Sequence, residues 1–117
     1  MGFWASIIGS PVDVDGWIER GDTLLRHGKH NEAMRCYDRA LDMDPHAVEA
    51  WIRKGHILNQ LGSHQHALRR FSRALEINPA HAEAWVQMAE TLKCIGRVQE
   101  AERCYFRARE IAAAAIV

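Results

Sequence analysis

Seven histidines and three cysteines in 117 residues are the side chains of this sequence best suited to holding a metal or attacking a substrate. His27 with His30, and His64 with His66, form close pairs, and the second pair could chelate a divalent ion adventitiously. No cysteine or carboxylate stands at a recognised distance to complete a tetrahedral set. Polar residues lining turns account for these four, and His46 and His81 fall at the junctions that follow. Cys36, Cys94 and Cys104 are odd in number and lack CxxC spacing, so they read as unpaired thiols of a reducing, cytoplasmic compartment. Each lies in a helical pattern, where cysteine acts as a small apolar filler. No Ser-His-Asp or Cys-His constellation and no glycine-rich phosphate loop is legible. The expectation is a protein that is not an enzyme, with no catalytic residues, no metal and no cofactor.

The bulk properties exclude further classes. Fifteen basic side chains balance fifteen acidic ones, so no global field draws the chain to nucleic acid or an anionic membrane. No apolar run approaches the roughly 18–20 residues of a membrane span. Hydrophobic residues at 48% and charged residues at 26% fit one small soluble domain. At the N-terminus, Gly2 and Ser6 match a loose myristoylation pattern, but packing of this apolar segment against the fold is the plainer reading.

The elements that position these side chains are periodic. Trp17, Trp51 and Trp85 are spaced by 34, and so are Gly28, Gly62 and Gly96. Ala33, Ala67 and Ala101 keep the interval, as do Tyr37, Phe71 and Tyr105, and Leu24, Leu58 and Leu92. Pro45 and Pro79 follow it, with Ala113 in the third place. Residues 14–47 and 48–81 share 13 of 34 positions. Such a period signals stacked supersecondary units.

Each unit reads as two helices. In the second, Val48 to Leu61 carries Trp51, Leu58 and Leu61 at helical spacing, with Gly55 where a partner must approach closely. Gly62 stops that helix, since glycine enters the left-handed region without steric cost. His66 to Ile77 places Ala67, Leu68, Phe71, Ala74 and Leu75 on one face, and Asn78-Pro79 ends it. The three tryptophans read as core between pairs.

These residues carry a resemblance to the tetratricopeptide repeat family. The motif W-x2-[KRM]-[GA]-x2-L, then G, A-x3-[YF]-x2-A and P runs through Trp17–Pro45 and Trp51–Pro79, and through Trp85–Ala108 without the proline. The resemblance spans 14–115. It implies an all-α fold, an α-solenoid of three helix-turn-helix repeats (14–47, 48–81, 82–115) forming a right-handed superhelix. The expected organisation is an apolar leader at 1–12 followed by the repeat domain at 13–117.

The resemblance further implies a non-enzymatic scaffold that binds a protein or peptide in a concave groove lined by the first helix of each pair. The groove positions are then Asp15, Ile18, Glu19, Asp22, Leu25 and Arg26; Glu49, Ile52, Arg53, His56, Asn59 and Gln60; and Glu83, Val86, Gln87, Glu90, Lys93 and Cys94. The family's best-known subclass grips a chaperone's C-terminal carboxylate with lysines and asparagines. Here the matching positions hold Ile18, Asp22, Arg53, Glu83 and Gln87, so a neutral or basic ligand is expected, not an EEVD-type acidic tail. On the opposite face Arg35, Arg39, Arg69, Arg70, Arg73, Arg103, Arg107 and Arg109 have acidic neighbours within a turn and read as a solvated surface, not a nucleic-acid site.

Repeat stacks need polar caps at their ends. Both ends of this sequence are apolar: Phe3, Trp4, Ile7 and Ile8 at one, Ile111, Ile116 and Val117 at the other. No extra solvating helix is expected beyond the third repeat. These residues form a second candidate surface, through which copies would stack head to tail into a homo-oligomer or filament.

Overall fold

The computed structural model describes residues 12–116. The calls for attention at Gly2, Phe3, Trp4, Ser6, Ile7, Ile8 and Val117 fall outside them. Six helices and no strand occupy the described residues: α1 (Val14–Arg26), α2 (His30–Met43), α3 (Val48–Gln60), α4 (His64–Ile77), α5 (Ala82–Cys94) and α6 (Val98–Ile116). The chain divides after Pro45 into two units.

One rule closes the first helix of every pair. Gly28, Gly62 and Gly96 take φ of +75°, +82° and +84°. The glycine N–H donates to the carbonyl three residues back, and the next N–H donates to Leu24, Leu58 or Leu92 five back. This double bond pattern satisfies carbonyls that a helix end leaves orphaned, which is why glycine and leucine repeat together. The second helices stop at Asp44 and Asn78, both extended because a proline follows. With no proline at Ala113, α6 continues for 19 residues.

In the first unit, α1 packs on α2. Asp13 caps α1 by accepting from the Gly16 N–H at 2.8 Å. Gly21 lies under the Tyr37 ring, where a Cβ would stand 2.6 Å from Cε1. Tyr37, Ala33 and Ala40 are wholly buried.

In the second unit, α3 pairs with α4 and α5 with α6, while α5 also meets α4 and α3. Gly55 repeats the close approach, 2.6 Å from the Phe71 ring by its would-be Cβ. Around Phe71 lie Ile52, Ala67, Ala74, Leu75 and Ala84, and a second cluster joins Leu68, Ala89, Leu92, Ala101 and Cys104. Burying each large apolar side chain contributes about 1.5–3 kcal/mol.

Two expectations are corrected. α3 ends at Gln60 and α4 begins at His64, so His64 and His66 sit in a helical first turn. The tryptophans are half-buried: Trp51 and Trp85 pack against the core clusters from their edge, not from within. Arg20 covers Trp17 at 5.2 Å and Lys54 covers Trp51 at 5.5 Å, while the Trp85 Nε1–H donates to the Pro79 carbonyl at 2.8 Å. An indole can keep a polar or cation-facing side because its ring and N–H both accept such partners.

Candidate functional site

On the face shared by α3 and α5, charges of equivalent repeat positions meet. Glu49 and Arg53 stand one helical turn apart on α3, and Glu83 takes the place of Glu49 on α5. The Arg53 guanidinium approaches Glu49 at 3.5 Å and Glu83 at 3.8 Å. His81 precedes α5 and caps it, its Nδ1 accepting from the Ala84 N–H at 3.3 Å. That role leaves the ring proton on Nε2, which donates to Glu49 at 3.0 Å. One cation and one imidazole thereby bind two helices together through two carboxylates.

Glu49, His81 and Glu83 hold their ligating atoms within 4.8 Å of one another. The chemistry of the set suits an arginine better than a metal. Both nitrogens of His81 already have partners, and a divalent ion would displace Arg53 from both glutamates. The pairing of Glu49 with His81 went unnoticed in the sequence because the cap position holds Asp13 and Ala47 in the other repeats.

Further along the same face, the His64 Nδ1–H donates to Asn59 Oδ1 at 3.0 Å, and the Asn59 amide donates to Thr91 Oγ1 at 2.6 Å. The Thr91 hydroxyl donates in turn to the Gln87 carbonyl at 2.8 Å. Thr91 is buried, so this chain satisfies a polar group that would otherwise cost about 1–3 kcal/mol. Asn59 is consequently occupied in holding α3, α4 and α5 together. Ile52 is 1% exposed and packs with Phe71 and Ala84, so it belongs to the core and is withdrawn from the groove. Glu83, Glu90, Lys93, Gln60 and Cys94 are exposed; His56, Val86 and Gln87 are half-buried.

In the first unit, Asp15, Glu19 and Arg26 are exposed, and Ile18 and Leu25 are half-buried. Asp22 accepts from the Tyr37 hydroxyl, and Arg26 donates to the Thr23 hydroxyl at 3.2 Å.

The α4/α6 side is the part that sequence reading undervalued. An open cavity of about 720 Å³ lies there, walled by Arg69, Arg70, Arg73, Arg97 and Arg103. Cys104 is buried in the same wall, and burial pushes its thiol up. A smaller depression near the end of α6 is lined by Val86, Tyr105, Ala108 and Ala112. Ile111 is half-buried and Ile116 is 86% exposed. No helix among the described residues is long and apolar enough to cross a membrane.

Comparison with known proteins gives these features a setting. Residues 18–82 match one model described as tetratricopeptide repeat, and residues 58–116 match a second. No curated protein sequence matches the chain. Among solved structures, the crystal structure of MamA superposes with a TM-score of 0.84 at 16% identity, covering 90% of this chain and 61% of that one. This chain therefore spans under two thirds of MamA as solved. The second TPR of Spaghetti (RPAP3), solved with the HSP90 peptide SRMEEVD, gives 0.80 at 15% identity, covering 85% and 92%. The first TPR of the same protein, with the same peptide, gives 0.81 at 21%, covering 85% and 79%. Identities this low show a shared fold.

Proposed function

The chain belongs to the tetratricopeptide repeat family, and we propose that it is a non-enzymatic protein-binding module whose α3/α5 face takes a neutral or basic peptide segment. The observation that carries this reading is the position of Arg53. Its guanidinium lies between Glu49 and Glu83, so the cation nearest the centre of this face is already offset by carboxylates. An acidic tail such as the one seated on the Spaghetti domains would meet Glu83 and Glu90 with no free positive charge at Arg53 to hold it. A lysine- or arginine-bearing segment would find exposed carboxylates instead, with ion pairs that weaken as salt rises. Within the first unit, Asp15, Glu19 and Asp22 on α1 carry the same sign. A cytoplasmic setting fits the three free cysteines.

Fluorescence anisotropy with labelled lysine-rich, uncharged and glutamate-rich peptides tests the reading, with amide shifts used to count only binding that perturbs α3 and α5. The lysine-rich peptide is expected to bind best, and Glu83→Lys with Glu90→Lys to reverse the order. Preference of the unaltered α3/α5 face for the glutamate-rich peptide would refute it.

A second reading, end-to-end association of copies, draws on the depression of Val86, Tyr105, Ala108 and Ala112 beside the exposed Ile116. Light scattering after size exclusion should then show oligomers that Ala112→Glu disperses. A monomer across micromolar concentrations removes this reading.

A further inference from the structure

Arg70 breaks the repeat pattern. Its equivalents are Cys36 and Cys104, both buried small side chains. The second repeat places a guanidinium in that slot, leads it over the Trp51 ring at 5.9 Å, and encloses its Nε with no hydrogen-bond acceptor. Sealing such a donor without an acceptor carries a desolvation penalty, larger for a charged group, and it is the end of the guanidinium lining the cavity, not the enclosed Nε, that a bound group could engage.

The surroundings supply the explanation. Arg70 lines the cavity between α4 and α6 together with Arg69, Arg73, Arg97 and Arg103, against the carboxylates Glu76 and Glu100 alone. Those two are already taken. Arg73 pairs with Glu76 at 2.9 Å, and Arg97 grips Glu100 with two bonds at 2.9 and 2.6 Å, which hold its carboxyl below the usual range. Arg69 and Arg70 form no ion pair among the described residues, and Arg103 acts on Glu100 only through its charge, at longer range than Arg97 does. Arg69 and Arg103 occupy equivalent positions in successive repeats, so their cations flank the cavity in register.

We propose that this cavity is a binding site for an anionic peptide segment, with Arg70 as its central anchor. The site lies apart from the α3/α5 face and does not depend on the function proposed for that face. Partial burial and the cation–π contact with Trp51 restrict the Arg70 guanidinium before a ligand arrives, which lowers the ordering cost of binding a carboxylate or phosphate in charge-assisted fashion. The apolar part of the wall, Leu68, Met88 and Leu92, would take a neighbouring apolar side chain of the same segment. A nucleic-acid strand fits less well. Strands bind by stacking bases on open aromatic rings, and Trp51, the aromatic of this cavity, already has Lys54 and Arg70 over its ring.

The test uses the full chain and three labelled probes: a short peptide alternating leucine with glutamate, the same peptide with phosphoserine for glutamate, and an oligothymidylate. A glutamine version of the peptide is the uncharged control. Anisotropy should show binding of an anionic peptide, with the stronger of the two arms separating carboxylate from phosphate recognition. The glutamine version should not bind. Arg70→Gln should weaken binding about tenfold or more, and Arg70→Lys, which retains charge without the planar fork, should fall between. The exposed pair Arg69→Gln/Arg103→Gln gives a second loss that does not touch the buried slot, and thermal melting confirms that each variant folds. Amide shifts on the peptide-bound protein should gather at Arg69–Arg73 and Arg97–Cys104. Failure of both anionic peptides to bind, shifts confined to α3 and the exposed side of α5, or tighter binding of oligothymidylate than of either peptide would each overturn the proposal.

Discussion

Within the unit that begins at His46, the α3/α5 face and the α4/α6 face both carry arginine and glutamate, but they pair them differently. On α3/α5 the pairs cross between helices: Arg53 reaches Glu83, and His81 reaches Glu49. On α4/α6 they stay local at i,i+3, as Arg73–Glu76, Arg107–Glu110 and Arg97–Glu100, the last joining the residue before α6 to its first turn. Crossed pairs fill the space between helices and leave a surface on which a ligand must lie. Local pairs leave that space open, and the cavity of Arg69, Arg70 and Arg103 is the result. One scaffold therefore presents two surfaces of opposite character, and the difference arises from whether a charge finds its partner three residues away or in the next repeat.

If both faces rest on one core, breaking that core must abolish both together. Phe71 is wholly buried, touching the α3 backbone through Gly55 and the α5 cluster through Ala84. Phe71→Ala should cost about 3–5 kcal/mol, read as a large fall in the thermal midpoint by circular dichroism. Peptide binding on either face should be lost in parallel. Loss on one face with retention on the other would mean that the faces fold separately.

A finer probe exploits how the second and third repeats solve the same contact. Gly55 has no room for a Cβ, whereas its equivalent Ala89 is buried with its methyl in place. Gly55→Ala should destabilise by about 1–2 kcal/mol, the clash with Phe71 outweighing the helical preference for alanine. Ala89→Gly should also destabilise, by about 1 kcal/mol, through lost packing and greater backbone freedom. If Gly55→Ala stabilises the protein, the close approach of ring and helix is not the constraint described here.

These contacts also mark what the sequence disclosed. The interval of 34 located the helices; the glycines and Asn78-Pro79 located their ends; and Gly55 marked where a partner helix comes close, though not that Phe71 would be the side chain meeting it. All of these act within one repeat, where backbone sterics and capping decide the outcome. What stayed hidden depends on a neighbouring repeat. Ile52 occupies a position at the edge of the helical face, and it becomes core in a cluster that joins Phe71 of its own repeat to Ala84 of α5. Trp17 and Trp51, read as filler, are half-buried with cations over their rings from one turn or one helix away. Arg70 looked like one more surface arginine until its Nε proved to be enclosed. Charge count gave the arginines of α4 and α6 to solvent, and Arg69, Arg103, Arg107 and Arg109 are exposed; what it could not see is the space between the two helices and the half-buried Arg70.

The smallest effects separate the faces by energy. A double-mutant cycle on Arg53 and Glu83 measures a pair that links two helices, and one on Arg73 and Glu76 measures a pair within a turn. All four side chains are substantially exposed, so neither coupling should exceed about 1 kcal/mol. The Arg73–Glu76 pair should give about 0.3 kcal/mol and fade in high salt. Geometry alone would rank it above Arg53–Glu83, since its atoms approach at 2.9 Å against 3.8 Å. Yet the Arg53 side chain is 29% exposed against 43% for Arg73, and Glu49 and His81 restrict the rotamers of the cluster. Less ordering remains to be lost when such a pair forms. The Arg53–Glu83 coupling should accordingly equal or exceed the shorter pair and resist salt better. A coupling near zero there, with a measurable one at Arg73–Glu76, would show that the crossed pairs do not brace α3 against α5, and Arg53 would then be free to turn toward an acidic ligand.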